Sequence, residues 1–91
     1  KIDFPHHKVL VGGKDVHLTP TEFRILAVMA RESGRVFSRT QLVDRALGYD
    51  YDGMERTVDV HILNIRRKIE VDSNKPQYIK TVYGMGYKFG G

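Results

Sequence analysis

The sequence predicts an α+β fold with an N-terminal antiparallel sheet, three helices and a C-terminal β-hairpin. Three observations carry this. Gly12-Gly13 separates two short apolar runs, a hairpin signal because both positions tolerate positive φ. Two Ser/Thr-x-x-Glu/Gln boxes, Thr19-Pro20-Thr21-Glu22 and Ser38-Arg39-Thr40-Gln41, each open an apolar-periodic segment. Finally, two aromatic and β-branched runs flank Gly84-Met85-Gly86. With 91 residues, the chain has room for one modest core.

Taken in order, Ile2 and Phe4 alternate with polar neighbours and form a short strand that Pro5 stops. His7 to Val11 and Lys14 to Leu18 are the two arms of the Gly12-Gly13 hairpin, so residues 1–18 make a small sheet. In the first helix Thr19 caps, Pro20 takes the first helical position and Glu22 closes the box. That helix runs to about Glu32, with Phe23, Leu26, Ala27 and Ala30 on one face and Ile25, Val28 and Met29 widening it. Gly34 ends it, and Val36-Phe37 reads as an extended link. Ser38 caps a second helix carrying Leu42, Val43, Ala46 and Leu47, which Gly48 stops. Residues 19–71 thus form a three-helix core. Asp72 to Pro76 is a turn-rich exit, and residues 77–90 hold the closing hairpin, Tyr78–Tyr83 and Tyr87–Phe89.

The third helix, Arg56 to Ile69, organises the rest. Val58, Ile62, Ile65 and Ile69 recur at i, i+4, i+7 and i+11, a single stripe suited to a core. The opposite side carries Arg56, Val60, Asn64 and Arg67, with Thr57, His61, Arg66 and Lys68 on its shoulders. An ordinary amphipathic helix with a solvated face has the same outline. The residue types say more: Asn can meet adenine bidentately and Val can meet a thymine methyl on the floor of a major groove.

Charge placement supports the second reading. Net charge is +4. Residues 1–55 hold eight Lys/Arg and eight Asp/Glu, so the whole excess lies in residues 56–91, the third helix and the closing hairpin. A basic face on one part of a domain is the footprint of a polyanion. A basic hairpin after a basic helix is a wing, able to lie on the backbone or in the minor groove while the helix takes the major groove. Thr81, Tyr87 and Lys88 are its candidate phosphate partners.

Other chemistries find little support. Cysteine is absent, so there is no disulfide framework or thiolate zinc site. His6, His7 and His17 lack clustered carboxylates and read as surface or turn residues rather than metal ligands. Gly84-x-Gly86 is followed by no helix and is not a nucleotide fingerprint. Asp and Glu are scattered over caps, loops and outer faces, so no catalytic residue and no cofactor is expected. Asp59 reads as an ion-pair partner of Arg56 or Arg66. No apolar run approaches membrane-spanning length. The chain starts at Lys1 in strand-like sequence, which suggests a domain of a longer protein.

Between the second and third helices lies an acidic, aromatic loop, Tyr49-Asp50-Tyr51-Asp52-Gly53. Its carboxylates would repel DNA. It should face away from a duplex and either be solvated or meet a protein, which leaves a protein-interaction module as a second hypothesis.

Leu18-Thr-Pro-Thr-Glu-Phe23, Arg56-Thr-Val-Asp-Val-His-Ile62 with Arg66-Arg-Lys68, and Tyr78-Ile-Lys-Thr-Val82 with Gly84-x-Gly-Tyr87-x-Phe89 together resemble the OmpR/PhoB-type effector domain of bacterial response regulators. The resemblance spans nearly the whole chain in order. It implies a winged helix-turn-helix and a cytoplasmic transcription factor. It also implies an upstream receiver domain that a sensor histidine kinase controls by phosphorylation, and dimeric binding to tandem DNA repeats. Arg56, Thr57, His61 and Arg66 then match phosphate-contacting positions, with Arg67 and Lys68 extending the basic run. Val60 and Asn64 match base-edge positions, and Thr81 and Tyr87 match wing contacts. Residues Tyr49 to Gly53 match a route to RNA polymerase. Two departures stand out. Many members carry Arg where this chain has Leu63 or Asn64, so an Arg–guanine contact is missing there. Tyr83 replaces a wing Arg that would sense a narrow minor groove.

Overall fold

A computed structural model describes residues 1–48 and 56–90, of Arg56 the backbone alone. Strands β1 (Ile2–Asp3), β2 (Lys8–Val11) and β3 (Lys14–Val16) form an antiparallel meander with Val9 opposite Ile2 on one side and Val16 on the other. Helix α1 (Pro20–Arg31) follows its capping box, in which Thr19 Oγ1 accepts from the Glu22 amide at 3.2 Å and Glu22 Oε1 accepts from the Thr19 amide at 3.0 Å. Ile25, Leu26 and Met29 on this helix are wholly buried.

Val36–Phe37, expected as an extended link, is a strand, β4. It pairs with β6 (Gly86–Phe89), which also pairs with β5 (Ile79–Val82), giving a sheet of order β4-β6-β5. The hairpin therefore does not project alone: Phe37 lies opposite Tyr87, and Val36 opposite Lys88. The second helix is also less regular than its periodicity suggests. Its box is present, but α2 (Arg39–Leu42) passes into a π-helical turn over Val43–Leu47. Gly48 then leaves at φ 84°, open to glycine without strain.

Helix α3 (Arg56–Ile69) drives the expected stripe into the core. Val58, Ile62 and Ile65 are fully buried and Ile69 nearly so, packed with Leu26, Met29, Phe37, Leu42 and Ile79. Truncating a residue such as Ile62 to Ala would cost about 2–5 kcal/mol. The architecture is α+β, a winged helix-turn-helix with an N-terminal sheet.

The exit from α3 is held by a residue the sequence did not flag. Glu70 is buried, and its carboxylate accepts from the amides of Gln77 (2.8 Å), Tyr78 (3.0 Å) and Ile79 (3.0 Å). One acidic side chain thus satisfies the orphan donors at the start of β5 and sets where the wing leaves the helix.

Candidate nucleic-acid interface

The outward face of α3 is open. Val60 is 54% exposed and Leu63 43% exposed. Arg67 is exposed and makes no hydrogen bond or ion pair among the described residues, and Thr57, His61 and Asn64 are half-buried beside them. Leu63 belongs to this face and was not among the expected contacts. Its i+3 spacing from Val60 was the available signal.

The basic run does not act as one cluster, because its three members point to three places. Arg66 turns to the wing: Nε and Nη2 donate to the Ile79 carbonyl at 3.1 and 2.9 Å, and Nη2 donates to Thr81 Oγ1 at 2.8 Å. Its guanidinium also lies 5.5 Å from the Tyr87 ring centroid. Lys68 turns the other way, donating to Glu22 Oε1 at 2.6 Å. Arg67 alone faces outward without a protein partner among the described residues.

Glu22 is correspondingly shifted. Burial pushes its carboxyl up, but the Lys68 ammonium and the Thr19 amide more than offset this and hold it below the ordinary value. Sequence reasoning had placed Lys68 at the interface. The structure ties it to the capping box of α1, 46 residues away in sequence.

Asp59 also has partners other than those expected. Its Oδ1 accepts from the Tyr87 hydroxyl at 2.5 Å and lies 3.3 Å from Arg39 Nε. Neither bond involves Arg66, and the side chain of Arg56 is outside the described residues, as is the whole Tyr49 to Gly53 loop. Burial first, and Asp59 second, raise the Tyr87 hydroxyl to about 12. Asp59 thus joins the start of α2, the first turn of α3 and the wing. Together with Arg66 it fixes the wing against the helix.

The wing tip leaves Tyr83 91% exposed and Met85 63% exposed. Between the tip and the start of α2 runs a groove of about 500 Å³, lined by Ser38, Arg39 and Thr40 on one wall and Thr81 to Tyr87 on the other. Lys88, mid-strand in β6, is half-buried and lies opposite Val36 and Lys80. Of the three histidines considered as ligands, His7 stacks on Phe23 at 4.8 Å and His6 Nδ1 lies 2.9 Å from Asp3 Oδ2. No cluster of three potential metal ligands occurs among the described residues, and no helix there is long and apolar enough to cross a membrane.

Chemically, this surface offers an open helix face of Val, Leu, Asn and Arg, held rigidly beside a hairpin. Comparison with known proteins agrees with that geometry. Residues 13–89 match the family model described as transcriptional regulatory protein, C terminal. The sensory transduction protein RegX3 of Mycobacterium tuberculosis is 44% identical over 91 residues, covering all of this chain and 40% of that protein. The response regulator DrrB of Thermotoga maritima, an OmpR/PhoB homologue, superposes with a TM-score of 0.90 at 40% identity, over 99% of this chain and 41% of that one. The DNA-binding domain of Klebsiella pneumoniae RstA, solved with its RstA box, superposes with a TM-score of 0.85 at 37% identity, over 98% of this chain and 88% of that one. This chain spans about 40% of the length of the curated relatives it matches.

Proposed function

Because the chain belongs to the transcriptional regulatory protein C-terminal family of response regulators, we propose that it binds double-stranded DNA sequence-specifically, as the output domain of a phosphorylation-controlled transcription factor. The observation that carries this is the open Val60/Leu63/Asn64/Arg67 face on a helix whose inner stripe is fully buried and whose wing is bonded to it through Arg66 and Asp59. A helix fixed in this way can enter a major groove with its base-reading groups already oriented.

The roles divide by chemistry. Val60 and Asn64 read base edges, and Arg56, Thr57, His61 and Arg67 contact phosphates. Arg66, Thr81 and Tyr87 hold the wing first and can offer a phosphate only the hydrogen-bonding capacity left over. Thr81 accepts from Arg66, so its own O–H remains able to donate. Tyr83 and Lys88 extend the wing surface toward the backbone. In the whole protein we assign an upstream receiver domain phosphorylated by a sensor histidine kinase, dimeric binding to tandem repeats, and a cytoplasmic location. No catalytic role is assigned to any residue. The Tyr49, Asp50, Tyr51, Asp52 and Gly53 loop lies outside the described residues. Its two carboxylates suit a protein surface better than a phosphate backbone, and RNA polymerase is the partner we assign to it.

The test is binding of the chain to duplexes selected from a random pool, across a salt series. Log K should fall linearly with log salt, by about 0.9 for each phosphate neutralised, and selection should converge on one motif. Salt-dependent binding with no convergence would leave only non-specific polyanion affinity and remove the base-reading assignment.

A further inference from the structure

Leu63 is 43% exposed on the outward helix face, one helical turn from Val60, itself 54% exposed. Its neighbours at i+3 and i+4 are Arg66 and Arg67. Arg66 is tied to the wing, whereas Arg67 is open to solvent without a partner among the described residues. Two adjacent apolar side chains on the outward face therefore sit next to a cation that has no partner among the described residues.

We infer that Leu63 and Val60 together form an apolar reader of thymine 5-methyl groups, so that this chain selects sites with thymines at neighbouring base steps. This rests on the DNA-binding reading above. The thymine methyl is the only apolar group that a base pair presents in the major groove, and aliphatic side chains contact it without needing a hydrogen bond. Side chains at i and i+3 stand about 5–6 Å apart, and bases rise about 3.4 Å per step along a strand, so the pair spans no more than two consecutive steps. A protein partner suits the same patch less well. It holds no Tyr, Trp, Phe or Met, the residues enriched with Arg at the centre of a protein interface. Val60, being β-branched, has little rotamer freedom to lose on contact. Asn64 beside it supplies the hydrogen bonding that a methyl cannot, and adenine is its bidentate partner.

The test replaces each thymine of the selected duplex, one at a time, with deoxyuridine. This removes the methyl and leaves every hydrogen-bonding edge unchanged. Two positions should lose affinity about fourfold each, the effect of one buried methyl-sized group. With Leu63→Ala, one of those positions should become indifferent to the replacement, and with Val60→Ala the other. Both side chains are exposed, so the variants should keep the circular dichroism and melting temperature of the parent. A selected duplex on which no deoxyuridine replacement matters would overturn the methyl reading and leave sequence-specific binding standing. Loss of cooperative binding in Leu63→Ala with an unchanged deoxyuridine profile would overturn it in favour of a contact between copies of the chain. Failure to select any site would remove the DNA reading itself.

Discussion

The Tyr87 hydroxyl donates to Asp59 Oδ1 at 2.5 Å, across 28 residues of sequence, and the same oxygen lies 3.3 Å from Arg39 Nε. One carboxylate in the first turn of α3 therefore orders the wing on one side and the start of α2 on the other. Placed near a phosphate backbone, an unpaired carboxylate would repel. Paired with a hydroxyl and a guanidinium, it becomes a joint.

That joint should be visible at alkaline pH. Burial, and then Asp59, hold the Tyr87 hydroxyl at about 12, above its ordinary value of 10.0. The folded state keeps this proton where the unfolded chain loses it. The stabilisation is therefore complete below pH 10 and disappears as pH climbs toward 12. Absorbance titration of the chain should show one step near pH 12. In Asp59→Ala that late step should move down toward the ordinary tyrosine value of 10.0 without reaching it, since burial remains. In Tyr87→Phe it should vanish. A late step unchanged in Tyr87→Phe would belong to another residue.

Arg66 should matter more to the wing than to phosphate. Its loss in Arg66→Ala removes charge-assisted bonds to the Ile79 carbonyl and Thr81, costing about 1.5–3 kcal/mol. Amides of Ile79–Val82 should lose hydrogen-exchange protection. Arg66→Lys keeps the charge but not the planar fork, so stability should stay low. Recovery of stability in Arg66→Lys would show that charge alone sufficed.

Legibility in the sequence depended on range. Both capping boxes, the α3 stripe and the Gly12-Gly13 hairpin are local patterns, and the structure has each of them. Val36–Phe37 is only two residues long, too short for any periodicity, and becomes a strand because β6 passes beside it. Partner choice was legible only as a helix face. The α3 sequence places Arg66 and Lys68 on its shoulders, but which way each side chain turns depends on Ile79 and Glu22, which lie on other elements. Glu70 carried no local signal, because the amides that donate to it lie seven to nine residues on, at the start of β5.

Lys68 should separate from the interface by its pH signature. Glu22 is held below its ordinary value, so its stabilising contribution is present above pH 4.5 and is lost as pH falls through the lower folded value. Lys68→Ala should cost about 1–2 kcal/mol at neutral pH, by leaving a buried carboxylate with only its capping amide. That cost should shrink on acidification. At neutral pH the salt slope of DNA binding should match the parent, whereas Arg67→Ala should reduce it by about 0.9. A slope reduced equally by both would return Lys68 to the backbone contacts.

Gly86 is the position where the wing tolerates no side chain. A Cβ there would lie 2.0 Å from the Phe37 carbonyl oxygen and 2.9 Å from Ser38 Cα, both backbone atoms, with φ at +145°. Gly86→Ala must therefore push β6 away from β4 or be strained in place. Either way it loosens the strand that carries Tyr87 to Asp59. The cost should reach about 2–3 kcal/mol or more, as for other overpacked sites, and lower the melting temperature by roughly 10 °C or more. Gly84→Ala is the control. It has positive φ of 78° but nothing within 4 Å, so only the left-handed backbone penalty of about 1–2 kcal/mol applies. If calorimetry found the two variants equal, the close approach of β4 would contribute nothing beyond backbone conformation.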